Sequence, residues 1–300
     1  MDASRGTRSR AWLRRHRLAG FFLLTFALSW GVPLLVLAAA PLVGLTASVS
    51  GYSPLAFLAV WAPALSAVTV VGLVDGWPGV RAYGRRVTAV RGQWPWYAAV
   101  LLGVPLVYLV AALVASATGG PPVRLGADWL GPFVVVSLLR LTQGPVEEFG
   151  WRGFALPLLQ RRYSGLVAGV LLGLVWALWH APALVVSTAE FAREGALLPG
   201  LVRLFVTLVA TSIVLTVVYN GSEGSVPLAV GFHWLTNLAY PWESTTTVPL
   251  AQDVVFVLVA LIVAVTVGRR YLGREHLATT VYEPEGERGD FSATHHGFEP

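Results

Sequence analysis

Long apolar runs separated by short polar segments dominate the chain. A membrane-spanning helix needs about 20 mostly apolar residues, because the hydrocarbon core is about 30 Å thick and each helical residue rises about 1.5 Å. Eight stretches meet or approach that requirement: Leu18 to Leu42, Pro54 to Val74, Pro95 to Ala117, Trp129 to Gln160, Gly165 to Val186, Leu201 to Tyr219, Ser225 to Tyr240 and Val254 to Val267. The fourth is too long for one span and the seventh is short. The pattern predicts an all-α, polytopic membrane protein of about eight transmembrane helices, with no internal repeat of fixed period.

Composition strengthens this reading. Hydrophobic residues make up 55% of the chain and charged residues 12%, against about 25% charged in a soluble globular domain. Cysteine is absent, which excludes disulfides, thiolate nucleophiles and Cys-ligated metals and leaves His, Asp and Glu as the metal-binding side chains. All 21 basic residues are arginine and the net charge is +5. Their distribution speaks of orientation rather than of nucleic acid, for which no partner is expected. Arg5, Arg8, Arg10, Arg14, Arg15 and Arg17 precede the first span, and Arg81, Arg85, Arg86 and Arg91 follow the second. Arg161 and Arg162 follow the fourth, and Arg269, Arg270 and Arg274 follow the last. In an eight-span chain all of these lie on one side, whereas the opposite loops hold only Arg124, Arg193 and Arg203. Cytoplasmic loops are enriched in Arg, so both termini are predicted to be cytoplasmic. Residues 1–17 read as a basic N-terminus before an uncleaved first span. Residues 273–300 read as a disordered cytoplasmic tail in which His276, His295 and His296 are solvated.

An ionisable side chain near the bilayer centre costs at least about 2.5–3.5 kcal/mol and is a functional candidate by default. Within the spans these are Arg140, Glu147, Glu148, Arg152, His180 and His233, with Asn237 the most conspicuous neutral polar group. Pro145 and the flanking glycines of Gly144-Pro145-Val146-Glu147-Glu148-Phe149-Gly150 predict a break in the long fourth element. Glu148 and Arg152 are four apart and can pair on one helix face, while Glu147 points elsewhere. His233 and Asn237 also share a face. Counting from the predicted turns at about 1.5 Å per residue, Glu147 and His180 agree in depth within a helical turn, His233 is shallower and Asn237 lies about four residues deeper than it, so that all can line one cavity, expected to open toward the cytoplasm.

A carboxylate beside two imidazoles and a carboxamide supplies what amide hydrolysis needs. Glu147 would be general base and His180 would position the water. His233 and Asn237 would donate to the oxyanion, and Glu148 and Arg152 would orient the site. The same residues leave open a metal alternative, Zn held by Glu147, His180 and His233 with one open position. No G-x-S-x-G or H-E-x-x-H pattern is present.

Glu147-Glu148-x-x-x-Arg152, Trp176-x-x-x-His180 and His233-x-x-x-Asn237, in that order in successive spans, resemble the three motifs of the CPBP intramembrane proteases, which include type II CAAX prenyl endopeptidases and bacteriocin-processing relatives. The resemblance covers roughly residues 130 to 240. It implies a core over 128–240, preceded by three spans in 18–127 and followed by a last span in 241–272. It also implies that Glu147 and His180 activate water and that His233 with Asn237 forms the oxyanion site, and it leaves metal dependence open. Two features depart from the pattern: Trp176 stands where Phe is commoner, and Arg140 is additional and could pair with Glu147. The implied substrate is a membrane-embedded or lipidated protein or peptide. The all-Arg, Ala/Val/Gly/Leu-rich composition suggests a bacterial plasma membrane, and so favours peptide or membrane-protein cleavage over CAAX processing in the strict sense. Rival readings are a catalytically silent membrane scaffold of the same fold and a proton-coupled transporter.

Overall fold

The computed structural model describes residues 10–44, 46, 53–120, 122–123, 130–187, 197–238, 240 and 248–282. Among them every regular element is helical, as the apolar runs require. The elements are α1 (Arg17–Val43), α2 (Pro54–Thr88), α3 (Trp94–Ala117), α4 (Leu130–Leu141), α5 (144–160), α6 (Gly165–Ser187), α7 (Leu197–Gly221), α8 (Val226–Thr236), α9 (Val248–Thr266) and the short α10 (Gly268–Tyr271). Five of them, α1, α2, α3, α6 and α7, are long and apolar enough to cross a bilayer. The chain is an all-α polytopic membrane protein. Of the other three expected spans, α8 is a shorter apolar helix of 11 residues, and α9 is a helix of 19 residues, Val248–Thr266. The expected fourth span is two elements, because Gln143 (φ −102°, ψ −104°) leaves helical geometry between α4 and α5 just before Pro145.

The second expected span continues well past Val74. Gly76 adopts φ 69°, Pro78 follows, and the chain resumes as helix to Thr88 after a kink. Arg81, Arg85 and Arg86 therefore lie on a helix rather than in a loop. The carbonyl of Val74 freed at the kink accepts from Arg10 and Arg14, at 3.0 and 3.2 Å, and Asp75 pairs with Arg17 at 3.0 Å. Arg86 donates to the Gly224 carbonyl at 2.7 Å, Arg161 to Thr279 at 3.1 Å and Arg274 to Arg162 at 3.1 Å. The arginines expected on one side thus gather at one end of the bundle. Arg5, Arg8, Arg124, Arg193, His295 and His296 lie outside the described residues.

The expectation of a solvated tail from residue 273 needs correction over its first ten residues. Val281 and Tyr282 are buried, and the Tyr282 hydroxyl bonds Asp75 and accepts from Arg17. Burial, and next the Asp75 carboxylate, pushes this phenol up to about 12, so it remains a donor at neutral pH. Ala278 bonds through its N–H to Asn220 and through its carbonyl to Gln160. Short polar side chains at helix ends hold a segment that has no apolar periodicity of its own.

Small residues set the central helix packing. Without a hydrophobic drive between helices in lipid, close backbone approach supplies much of the attraction. Gly165, Gly169 and Gly173 recur every fourth position along α6. A Cβ at Gly173 would lie 2.8 Å from Val209 Cα, and one at Gly169 2.8 Å from Thr216 Oγ1, both on α7. The approach brings Ser212 of α7 within 2.8 Å of the Gly169 carbonyl, to which it donates. Gly173→Ala should destabilise the protein by about 1–3 kcal/mol, the usual penalty of overpacking, measured by unfolding in detergent. Gly103→Ala, where a Cβ meets nothing within 4 Å, is the control that should show no such loss.

Candidate active site

Helix α5 begins irregularly, and this irregularity carries the site. Gly144–Glu147 form one turn of 3₁₀ helix, Glu148–Gly150 are α-helical and Trp151–Ala155 form a π-type turn. Such turns are uncommon and concentrate at functional sites. The Tyr83 hydroxyl, from α2, donates to the Phe149 carbonyl and ties this stretch to the long helix.

Glu148 is fully buried and its partners are all internal. Arg152 pairs with it at 3.0 Å across one helical turn, as the four-residue spacing predicts, and His233 Nδ1 lies 2.8 Å from its Oε1. Arg152 is also fully buried. It donates to Ser212 Oγ at 3.1 Å, and its guanidinium stacks over the Trp176 ring at 4.9 Å. These contacts offset part of the cost of stripping the ion pair of water, while Arg152 Nε and Glu148 Oε2 are buried without a hydrogen-bond partner and Oε2 meets only the guanidinium. With Glu148 as acceptor, His233 carries its proton on Nδ1, and Nε2 is the ring nitrogen left for the cavity.

Glu147 has a different environment. It forms no ion pair among the described residues, and its Oε2 accepts from two indoles, Trp176 at 2.9 Å and Trp151 at 3.3 Å. That leaves Oε1 uncommitted. His180, half-buried on α6, is held through Nδ1 by the carbonyl of Trp176 at 3.0 Å. A carbonyl accepts only, so Nδ1 carries the hydrogen and Nε2 bears a lone pair. The neighbouring Trp179 is anchored to α1: its indole donates to Ser29 at 2.6 Å, and its carbonyl accepts from Trp30 at 3.1 Å.

These groups meet in a cavity of about 340 Å³ lined by Val60, Arg140, Gln143, Gly144, Glu147, His180, His233 and Asn237. Glu147, His180, His233 and Asn237, expected from the sequence to share one cavity, all line this space. Gly144 is required there: a Cβ would lie 2.3 Å from Asn237 Nδ2 and 2.8 Å from His233 Nε2. The cavity sits about 20 Å from the arginine-rich end, counting 13 residues of α5 from Glu147 to Gln160 at about 1.5 Å each. Toward that end it is backed by the buried Trp151, Arg152, Phe154 and Leu156. Of its lining residues Arg140, at the end of α4, is the exposed one.

Arg140 does not pair with Glu147. The two are seven residues apart, two turns of a continuous helix, but the break at Gln143 destroys that phase. The donors considered for Zn do not converge either, since no three His, Asp or Glu among the described residues form a ligand cluster. His180 and His233 are anchored through Nδ1 and Glu147 through Oε2, which leaves Nε2 of each imidazole and Oε1 of the carboxylate as their free donor atoms. Sequence reasoning missed Trp151 and Ser212. The first carried a legible signal, four residues after Glu147 on the same element. The second, one hydroxyl in an apolar helix, needed the tertiary packing.

Comparison with known proteins agrees with the motifs. Residues 129–239 match the family described as Type II CAAX prenyl endopeptidase Rce1-like. CAAX prenyl protease 2 of Methanococcus maripaludis is 32% identical over 173 residues, which are 55% of this chain and 63% of that protein. The chain thus spans a little under two thirds of the length of this curated relative. Residues 129–239, which supply every lining residue of the cavity except Val60, are thus the part of the chain that is similar to the Rce1-like family of type II CAAX prenyl endopeptidases.

Proposed function

We propose that the protein is an intramembrane endopeptidase that hydrolyses a peptide bond in a membrane-embedded or lipidated protein or peptide, using Glu147 as general base without a metal. The observation that carries this reading is the single cavity lined by Glu147, His180, His233 and Asn237, contributed by three separate elements. The family of residues 129–239 supports it as well.

In this mechanism Glu147 Oε1 takes a proton from a water that His180 Nε2 helps to orient. The water oxygen attacks the scissile carbonyl carbon, and the carbonyl oxygen becomes an oxyanion held by Asn237 Nδ2–H and His233 Nε2–H. The His233 donor requires the imidazolium form, whose other N–H is taken by Glu148. Two carboxylates, Arg152 and an imidazolium then sum to zero charge, which a low-dielectric site demands. Glu147 passes its proton to the leaving nitrogen as the C–N bond breaks, yielding a carboxylic acid and an amine. The indoles on Oε2 fix the carboxyl group in one orientation throughout, and pre-organisation of this kind is where such sites gain rate.

Three outcomes are expected. Terminal labelling of membrane and secreted peptides should reveal new termini in cells expressing the wild type. Glu147→Gln should remove them, because the loss of a general base costs about 10²–10⁴-fold in rate. If the wild-type and Glu147→Gln profiles match while both proteins are folded and abundant, the protein acts as a scaffold or transporter instead. With purified enzyme, Asn237→Ala should lower kcat by about 10²–10³-fold while KM changes little, as for the loss of one oxyanion donor. Treatment with 1,10-phenanthroline and EDTA should leave cleavage intact; loss restored by Zn would return the metal mechanism.

A further inference from the structure

Arg140 is a cation lining the cavity that the mechanism above does not use. It is exposed, and among the described residues no ion pair engages it. The site's own carboxylates are taken: Glu148 lies behind the cavity with Arg152 and His233, and Glu147 is held by two indoles and left to the water. The remaining lining side chains, Val60, Gln143, His180, His233 and Asn237, provide no anion. A guanidinium at membrane depth is costly unless it meets an anion or water, and its planar fork matches a carboxylate in two parallel hydrogen bonds.

Resting on the endopeptidase reading, we infer that Arg140 is a specificity residue that binds a carboxylate of the substrate close to the scissile bond. A cavity of about 340 Å³ is on the order of 7 Å across, which corresponds to about two extended residues at roughly 3.3 Å each. The carboxylate therefore lies within two or three residues of the bond that Glu147 hydrolyses. Its source is either the C-terminal carboxylate of a short segment or an Asp or Glu side chain, and both offer Arg140 the same two oxygens.

The test uses the full-length protein in nanodiscs and three dansyl-labelled apolar pentapeptides: one with a free C-terminal carboxylate, its amide, and the amide with Asp at the penultimate position. Affinity is read by fluorescence anisotropy in the Glu147→Gln background, so that no peptide is consumed. The acid should bind at least about ten-fold more tightly than the amide. Arg140→Gln added to that background should bring the ratio close to one, and Arg140→Lys should retain part of the preference. Tight binding of the Asp amide would identify a side-chain carboxylate as an accepted source; weak binding would identify the chain terminus. Equal affinity for acid and amide, a preference that survives Arg140→Gln, or no binding of any peptide overturns the inference. Turnover by the wild type separates this from the catalytic reading. Cleavage without acid preference sinks the role of Arg140 alone, whereas acid-selective binding without cleavage sinks the hydrolytic mechanism and leaves Arg140 as the anion site of a binding protein.

Discussion

The site is organised around one buried ion pair. Glu148 and Arg152 are both fully buried and lie 3.0 Å apart, and neither would persist ionised in an apolar bundle without the other. Three helices are drawn to satisfy them. Helix α8 brings His233 to Glu148, α7 brings Ser212 to Arg152, and α6 lays the Trp176 ring over the guanidinium. The positions of the cavity-lining groups on α6 and α8 follow from these demands, because His180 is one turn from Trp176 and Asn237 one turn from His233.

Two adjacent glutamates thereby acquire separate environments. One is surrounded by a cation and an imidazole and is fully buried. The other meets only indole N–H groups, which hold a carboxylate without neutralising it, and it faces the cavity. A departure from the usual motif, Trp176 in place of a phenylalanine, acquires a physical meaning here. Its indole N–H reaches Glu147 while its ring covers Arg152. A phenyl ring keeps the second contact and loses the first.

Local spacing and helical rise were legible in the amino-acid sequence, and phase across irregular backbone was not. The pairing of Glu148 with Arg152 follows from four residues on one helix. The common depth of Glu147 and His180 follows from counting residues between turns. Arg140 could not be placed in that way, because the non-helical Gln143 resets the phase between α4 and α5. The kink at Gly76 hid the continuation of α2 to Thr88 for the same reason. The packing of residues 274–282 depends on single hydrogen bonds to Asn220, Gln160 and Asp75, which have no periodic signature.

The glycine repeat of α6 and the charge at the site form one construction. Ser212 can donate to the Gly169 carbonyl only because α6 and α7 touch backbone to backbone along Gly169 and Gly173. That hydrogen bond turns the serine oxygen toward Arg152 as an acceptor. Arg152 then holds Glu148, and Glu148 holds the imidazole that faces the cavity. A methyl group added at the helix contact would widen the spacing that this relay needs, and the effect would reach His233 without any change in the side chains that line the cavity. In a bilayer, where helix association rests on contact geometry rather than on the exclusion of water, the smallest residues of the chain are therefore as much a part of the site as its carboxylates.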